Sequence, residues 1–228
     1  MATEIPELTT RIMGLGRKVE TALRQAIEAL IRRDTLLARA IVEGDAEIDR
    51  AEIAVQEHCL RILEKERPTG GDLRYVVAVL KINDGLERIG DLAENVAKVV
   101  VEVGAWDRFK RVGGCKELAA KCQELLATSL QALVQRDAAL ARRVVNEDDE
   151  VDRRQERIRV RIEHEIDVCP ENASPLLKLE YITRQFERVG DLATNIAEEV
   201  IYLVEGKIVR HEKRLSGSSE TLGFHQVL

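Results

Sequence analysis

Four carboxylates recur twice along this 228-residue chain, at spacings that would gather them on neighbouring helices. Glu87 and Asp91 are four residues apart, as are Glu187 and Asp191, so on a helix each pair shares one face a single turn apart. Asn95 continues the first stripe by another turn, and Asn195 holds the same place after Asp191. Asp45 and Asp49 make a further four-residue pair upstream, matched by Asp148 and Asp152. In an antiparallel helical hairpin with equal rise on both arms, residues at one height have a constant index sum. Asp45 with Asp91 and Asp49 with Glu87 share the sum 136, whose midpoint is Pro68. Asp148 with Asp191 and Asp152 with Glu187 share the sum 339, whose midpoint falls between Cys169 and Pro170. Each hairpin would then set four acids at one level.

Four ionised carboxylates in one place repel unless positive charge lies among them. Arginine is one answer, but Arg88 and Arg188 point about 100° away from their glutamate neighbours on a helix. A metal ion is the other. An all-oxygen set suits magnesium, manganese, calcium or iron, and zinc less well. A solvated acidic face laced with arginine is the competing reading, and for one pair alone it is the better one. Duplication at matched heights shifts the balance toward metal. The expected ligands are Glu87, Asp91, Asp45 and Asp49 in the first copy and Glu187, Asp191, Asp148 and Asp152 in the second, with Asn95 and Asn195 in support. Gly90 and Gly190 lie inside the acidic pairs and would let a neighbouring backbone approach closely.

These residues sit in a chain that repeats itself. Residues 87–97 recur as 187–197 with eight of eleven positions identical, and Arg33-Asp34 recurs as Arg136-Asp137. The offset is 103 upstream and 100 downstream, so the second copy has a shorter internal connection. Each copy reads as three helices. The first gives Leu8 to Arg32, a second helix capped by Asp34 and running to about Glu66 before Pro68, and a third from Leu73 to Val103. Gly44 would kink the second helix or split it. The second copy gives helices near 114–135, 137–166 and 174–205. The expected fold is all-α: two tandem antiparallel three-helix bundles over residues 1–106 and 107–211, with 212–228 a flexible tail.

Composition agrees. The chain is 45% hydrophobic and 33% charged, with only seven aromatics and four prolines, which excludes an all-β fold. A net charge of −6 argues against a nucleic-acid backbone binder. No apolar stretch approaches the ~20 residues of a membrane span, and the N-terminus does not read as a signal peptide. Cys59, Cys115, Cys122 and Cys169 lack paired metal-site spacing and read as reduced, buried, cytosolic thiols. Gly14-Leu15-Gly16 lies in a helical pattern and lacks a phosphate-loop ending. The histidines occupy no equivalent places in the two copies, and His58 and His164 read as partly buried or surface helix residues rather than ligands. The arginines 153, 154, 157 and 161 are interspersed with glutamates and read as a solvated face. No nucleophile and base can be paired, so a carboxylate-bridged metalloenzyme and a metal-free helical spacer are the alternatives to a binding or signalling protein.

The duplicated Glu-Arg-(Ile/Val)-Gly-Asp element, with asparagine four residues on, resembles the signature of the PhoU family of phosphate-uptake regulators. So does the run from Asn195 to Lys207, followed by Val209-Arg210-His211. The likeness extends from Leu8 to about His211. It implies a cytoplasmic, non-enzymatic regulator that links the phosphate ABC importer and its ATPase to a sensor histidine kinase, negatively regulating when phosphate is plentiful. It also implies metal, iron or zinc among the candidates beside magnesium or manganese, held by the duplicated acidic motifs. A homodimer is common in the family. The copies differ at Glu94 against Thr194 and at Asp84 against Arg184, so the two sites are expected to differ in metal number or affinity.

Overall fold

The computed structural model describes residues 4–103 and 112–209. Among them are seven α-helices and no strand: α1 Glu4–Arg32, α2 Thr35–Gly44, α3 Ala46–Lys65, α4 Gly70–Val103, α5 Cys115–Gln135, α6 Ala138–Val168 and α7 Ala173–Glu205. A short 3-10 turn, Pro170–Asn172, precedes α7. The glycine-rich break between copies and the tail lie largely outside the described residues.

The repeat in sequence becomes a repeat in local structure. Asp34 accepts hydrogen bonds from the backbone N–H of Leu36 and Leu37, at 3.1 and 2.9 Å, and caps α2. Asp137 does the same for α6 through Ala139 and Leu140, at 2.8 and 3.0 Å. Both caps follow an arginine in the left-handed region, Arg33 at φ 59° and Arg136 at φ 49°. The copies part company one residue before the first acid. In the first, the helix breaks at Gly44, and Asp45 at the break keeps helical angles of −58° and −39°, so the path bends rather than reverses. In the second, Glu147 stands where the first has Gly44, its carboxylate takes the Lys121 ammonium at 2.6 Å, and α6 runs unbroken. The first half therefore has four helices and the second three.

The two halves are joined lengthwise. Lys81 near the start of α4 reaches Glu199 near the end of α7, at 3.2 Å, and Lys178 of α7 reaches Glu102 of α4, at 2.8 Å. These contacts make α4 and α7 antiparallel neighbours about a pseudo-twofold axis. α1 and α5 pair likewise, closely enough that a Cβ on Gly16 would lie 3.1 Å from the Leu130 side chain. The buried residues form one continuous hydrophobic cluster through both halves, including Ile12, Leu86 and Ile89 from the first and Leu125, Phe186 and Val189 from the second. Each fully buried leucine, isoleucine or phenylalanine adds about 1.5–3 kcal/mol, which holds the outer helices α3 and α6 at fixed height against α4 and α7. Among the described residues no helix is long and apolar enough to cross a membrane.

Candidate metal centre

Folding the chain back at the two proline-bearing loops sets α3 beside α4 and α6 beside α7. The four acids of each copy take the same exposure in both: Asp45 and Glu87 are half-buried and Asp49 and Asp91 exposed, and so are Asp148, Glu187, Asp152 and Asp191 in turn. In the second copy Asp152, Glu187 and Asp191 offer carboxylate oxygens that all lie within 4.8 Å of one another. Asp148 stands beside them and accepts a hydrogen bond from the Thr194 hydroxyl at 3.0 Å. In the first copy the acids sense one another electrostatically, although no three of them meet that closely among the described residues. Asp45 there sits at the α2–α3 break rather than within a helix.

Charge balance distinguishes the two clusters. Burial, then Glu94, Asp49 and Asp91, push Asp45 up to about 6, with only Lys98 opposing. Burial and then Asp91, Asp84 and Glu52 raise Glu87, and burial followed by Asp49 and Glu94 raises Asp91. Lys98 is already committed to Glu94, at 2.5 Å. Arg88 turns away to Asp84, at 3.3 Å, as helical geometry requires. The first cluster is thus a carboxylate group with too little positive charge, the environment a cation would neutralise. In the second, burial and Asp152 raise Glu187, but Arg184 and Arg188 pull it back. Arg188 contributes to the cluster's field even though its helical direction differs from that of Glu187. The donor set is all oxygen in both copies and fits a hard cation.

Gly90 and Gly190 have a different role from the one expected. What approaches is a side chain and not a backbone: a Cβ on Gly90 would lie 3.1 Å from Ile48 Cγ2, and one on Gly190 would lie 3.0 Å from Val151 Cγ1. Those apolar residues lie between the acids of α3 and α6 in sequence and lock the acidic faces against α4 and α7. Asn95 is half-buried and Asn195 exposed.

Several neighbours escaped the sequence reading. Glu52 lies one turn beyond Asp49, and fully buried Asn83 donates from Nδ2 to its Oε1 at 2.6 Å and to its backbone carbonyl at 3.2 Å. Extending the two stripes by one turn would have found both, since Asn83 precedes Glu87 by four residues. The second copy has Gln155 and Thr183 in the corresponding places. The cysteines are free, Cys59 and Cys122 buried and Cys115 and Cys169 half-buried. Burial holds Cys122 far above the usual thiol range, and its thiol donates to the Phe186 carbonyl at 3.0 Å. Arg154 pairs with Glu150 and Arg161 reaches the Val112 carbonyl, so those arginines serve local contacts.

Fold and site together define a duplicated helical-bundle protein with an acidic cluster on the outer hairpin of each half. Comparison with known proteins gives the family: the PhoU domain model matches twice, over residues 12–100 and 115–200, and the chain belongs to the PhoU family. It is 33% identical over 208 residues to the phosphate-specific transport system accessory protein PhoU of Edwardsiella tarda, covering 91% of this chain and 86% of that protein. It is 31% identical to the homologue from Aquifex aeolicus, over 92% of this chain and 95% of that one. The crystal structure of PhoU from Pseudomonas aeruginosa superposes with a TM-score of 0.85 at 33% identity, covering 90% of this chain and 99% of that one. The phosphate transport system regulatory protein PhoU from Streptococcus pneumoniae gives 0.80 at 26% identity, covering 90% of this chain and 97% of that one.

Proposed function

We propose that this protein is a non-enzymatic, cytoplasmic accessory regulator of a phosphate-specific transport system, and that each half binds metal at its acidic cluster. What supports the metal reading is the duplicated quartet Asp45, Asp49, Glu87, Asp91 and Asp148, Asp152, Glu187, Asp191, of which Asp152, Glu187 and Asp191 bring carboxylate oxygens within 4.8 Å of one another. The regulatory reading rests on PhoU relatives at 31–33% identity over more than nine-tenths of the chain. The ligands would be iron, zinc, magnesium or manganese held by those eight carboxylates, with Asn95 and Asn195 in support. A bound cation would supply positive charge between like-charged side chains and tie α3 to α4 and α6 to α7. The chain's own residues set the two sites apart: Glu52 and Glu94 add negative charge to the first, while Arg184, Arg188 and the Thr194 hydroxyl relieve the second. The first cluster is accordingly the tighter or higher-capacity site.

With the bundle so fixed, its surfaces meet the importer ATPase on one side and a sensor histidine kinase on the other, as monomer or homodimer, and hold starvation signalling off when phosphate is abundant. Deleting the gene and following a phosphate-starvation reporter in high phosphate tests this. Output should rise and return to baseline with the parent gene. Unchanged output in the deletion strain would overturn the regulatory assignment.

A further inference from the structure

One group of donors lies outside both clusters. Glu4 and Glu7 share a face in the first turn of α1, and His58 of α3 faces them. Each offers one donor atom, and the three lie within 4.8 Å of one another. His58 is fully buried, contrary to a surface or partly buried place, and its Nε2 meets Glu4 Oε2 at 2.8 Å. Among the described residues its Nδ1 is buried with no hydrogen-bond partner, and the ring's one polar contact there is directed into this group. Arg11 bonds Glu7 through Oε1, by Nε at 3.0 Å and Nη2 at 2.7 Å.

We propose that Glu4, Glu7 and His58 form a third metal site, distinct from the carboxylate clusters and selective for zinc or a similar nitrogen-preferring divalent ion. Two carboxylates balance the ion's charge, and an imidazole nitrogen beside two carboxylate oxygens is a zinc donor set with one position open. Modest side-chain rotation brings all three onto bonds of about 2.0–2.2 Å. Arg11 steadies Glu7 from behind, the role outer hydrogen bonds play for ligating carboxylates. Exposed Glu7 gives the ion its entry path to the buried ring. The site belongs to the first half only, because Arg161 stands at the position matching His58 and turns to the Val112 carbonyl. Zinc here would clip the start of α1 to α3, away from the acidic hairpins.

The test is a Zn²⁺ titration of the chelator-stripped full chain in millimolar Mg²⁺, which competes for the all-oxygen sites, read as the difference in zinc equivalents between parent and variant. One zinc equivalent is expected in the parent. His58→Gln should abolish it, and Glu7→Gln, at an exposed position that leaves folding intact, should weaken it at least about tenfold. If His58→Gln fails to fold, Glu7→Gln decides. Absence of a zinc equivalent under Mg²⁺ would overturn the site. So would one that survives both substitutions, or moves only with changes at Asp152, Glu187 or Asp191.

Discussion

Replacing Asp45 by asparagine should stabilise the metal-free protein while weakening its response to metal. Asp45 is held at about 6 against an ordinary value of 3.8, chiefly by burial and then by Glu94, Asp49 and Asp91. A rise from 3.8 to about 6 gives a ceiling of about 3 kcal/mol, and screening of a half-exposed side chain reduces this to about 1–2 kcal/mol. A raised folded value means the folded state favours the protonated acid. The stabilising contribution is therefore fully present below the unfolded value of 3.8 and lost as pH rises through about 6. The metal-free parent should lose about 1–2 kcal/mol between pH 4 and pH 7 from this residue, and Asp45→Asn should not. Asp45 makes no side-chain cap to α3, so asparagine forfeits no hydrogen bond there. Urea unfolding and thermal melts in chelator at pH 7.5 should show a gain equivalent to about 2–8 °C for a chain of this size. Addition of Mn²⁺ should stabilise the parent more than the variant. A variant less stable than the parent without metal, or one with the same pH slope, would refute the reasoning.

The other expectations are structural. Gly190→Ala should cost about 1–2 kcal/mol by thermal melting, since its Cβ would meet Val151 at 3.0 Å and overpacking outweighs the helix-propensity gain. Gly14→Ala, with nothing within 4 Å, should instead stabilise by about 0.5–1 kcal/mol. Asp34→Ala and Asp137→Ala should each lose about 1 kcal/mol in urea unfolding, because each removes an N-cap. Lys81→Ala should cost about 1–3 kcal/mol, since its partner Glu199 is buried. Lys178→Ala should cost under about 1 kcal/mol, because the pair with Glu102 is exposed.

Much of this was legible in the sequence for a simple reason. The acids repeat at four-residue spacing on either side of a proline, and equal helical rise then fixes which of them meet. Asp34 and Asp137 announced their helix starts because capping is a local contact between residues two and three apart. What lay hidden depends on the third dimension. The split at Gly44 was legible, since glycine weakens a helix interior, but the contact of Glu147 with Lys121, 26 residues away, that accompanies the unbroken α6 was not. The packing of Ile48 and Val151 onto Gly90 and Gly190 needs the interhelix distance, which no spacing gives. His58 carried no pattern of its own, and its burial beside Glu4 comes from the meeting of α1 and α3, 54 residues apart. The antiparallel pairing of α4 with α7 rests on contacts across the two copies, such as that of Lys81 with Glu199.

The most direct measurement is the metal content of purified protein, by elemental analysis, for the parent and for a variant with alanine at Glu87, Asp91, Glu187 and Asp191. Metal held by the parent should fall to what the Glu4–Glu7–His58 group alone retains. Equal content in parent and variant would show that the paired acidic hairpins are a charged surface and nothing more.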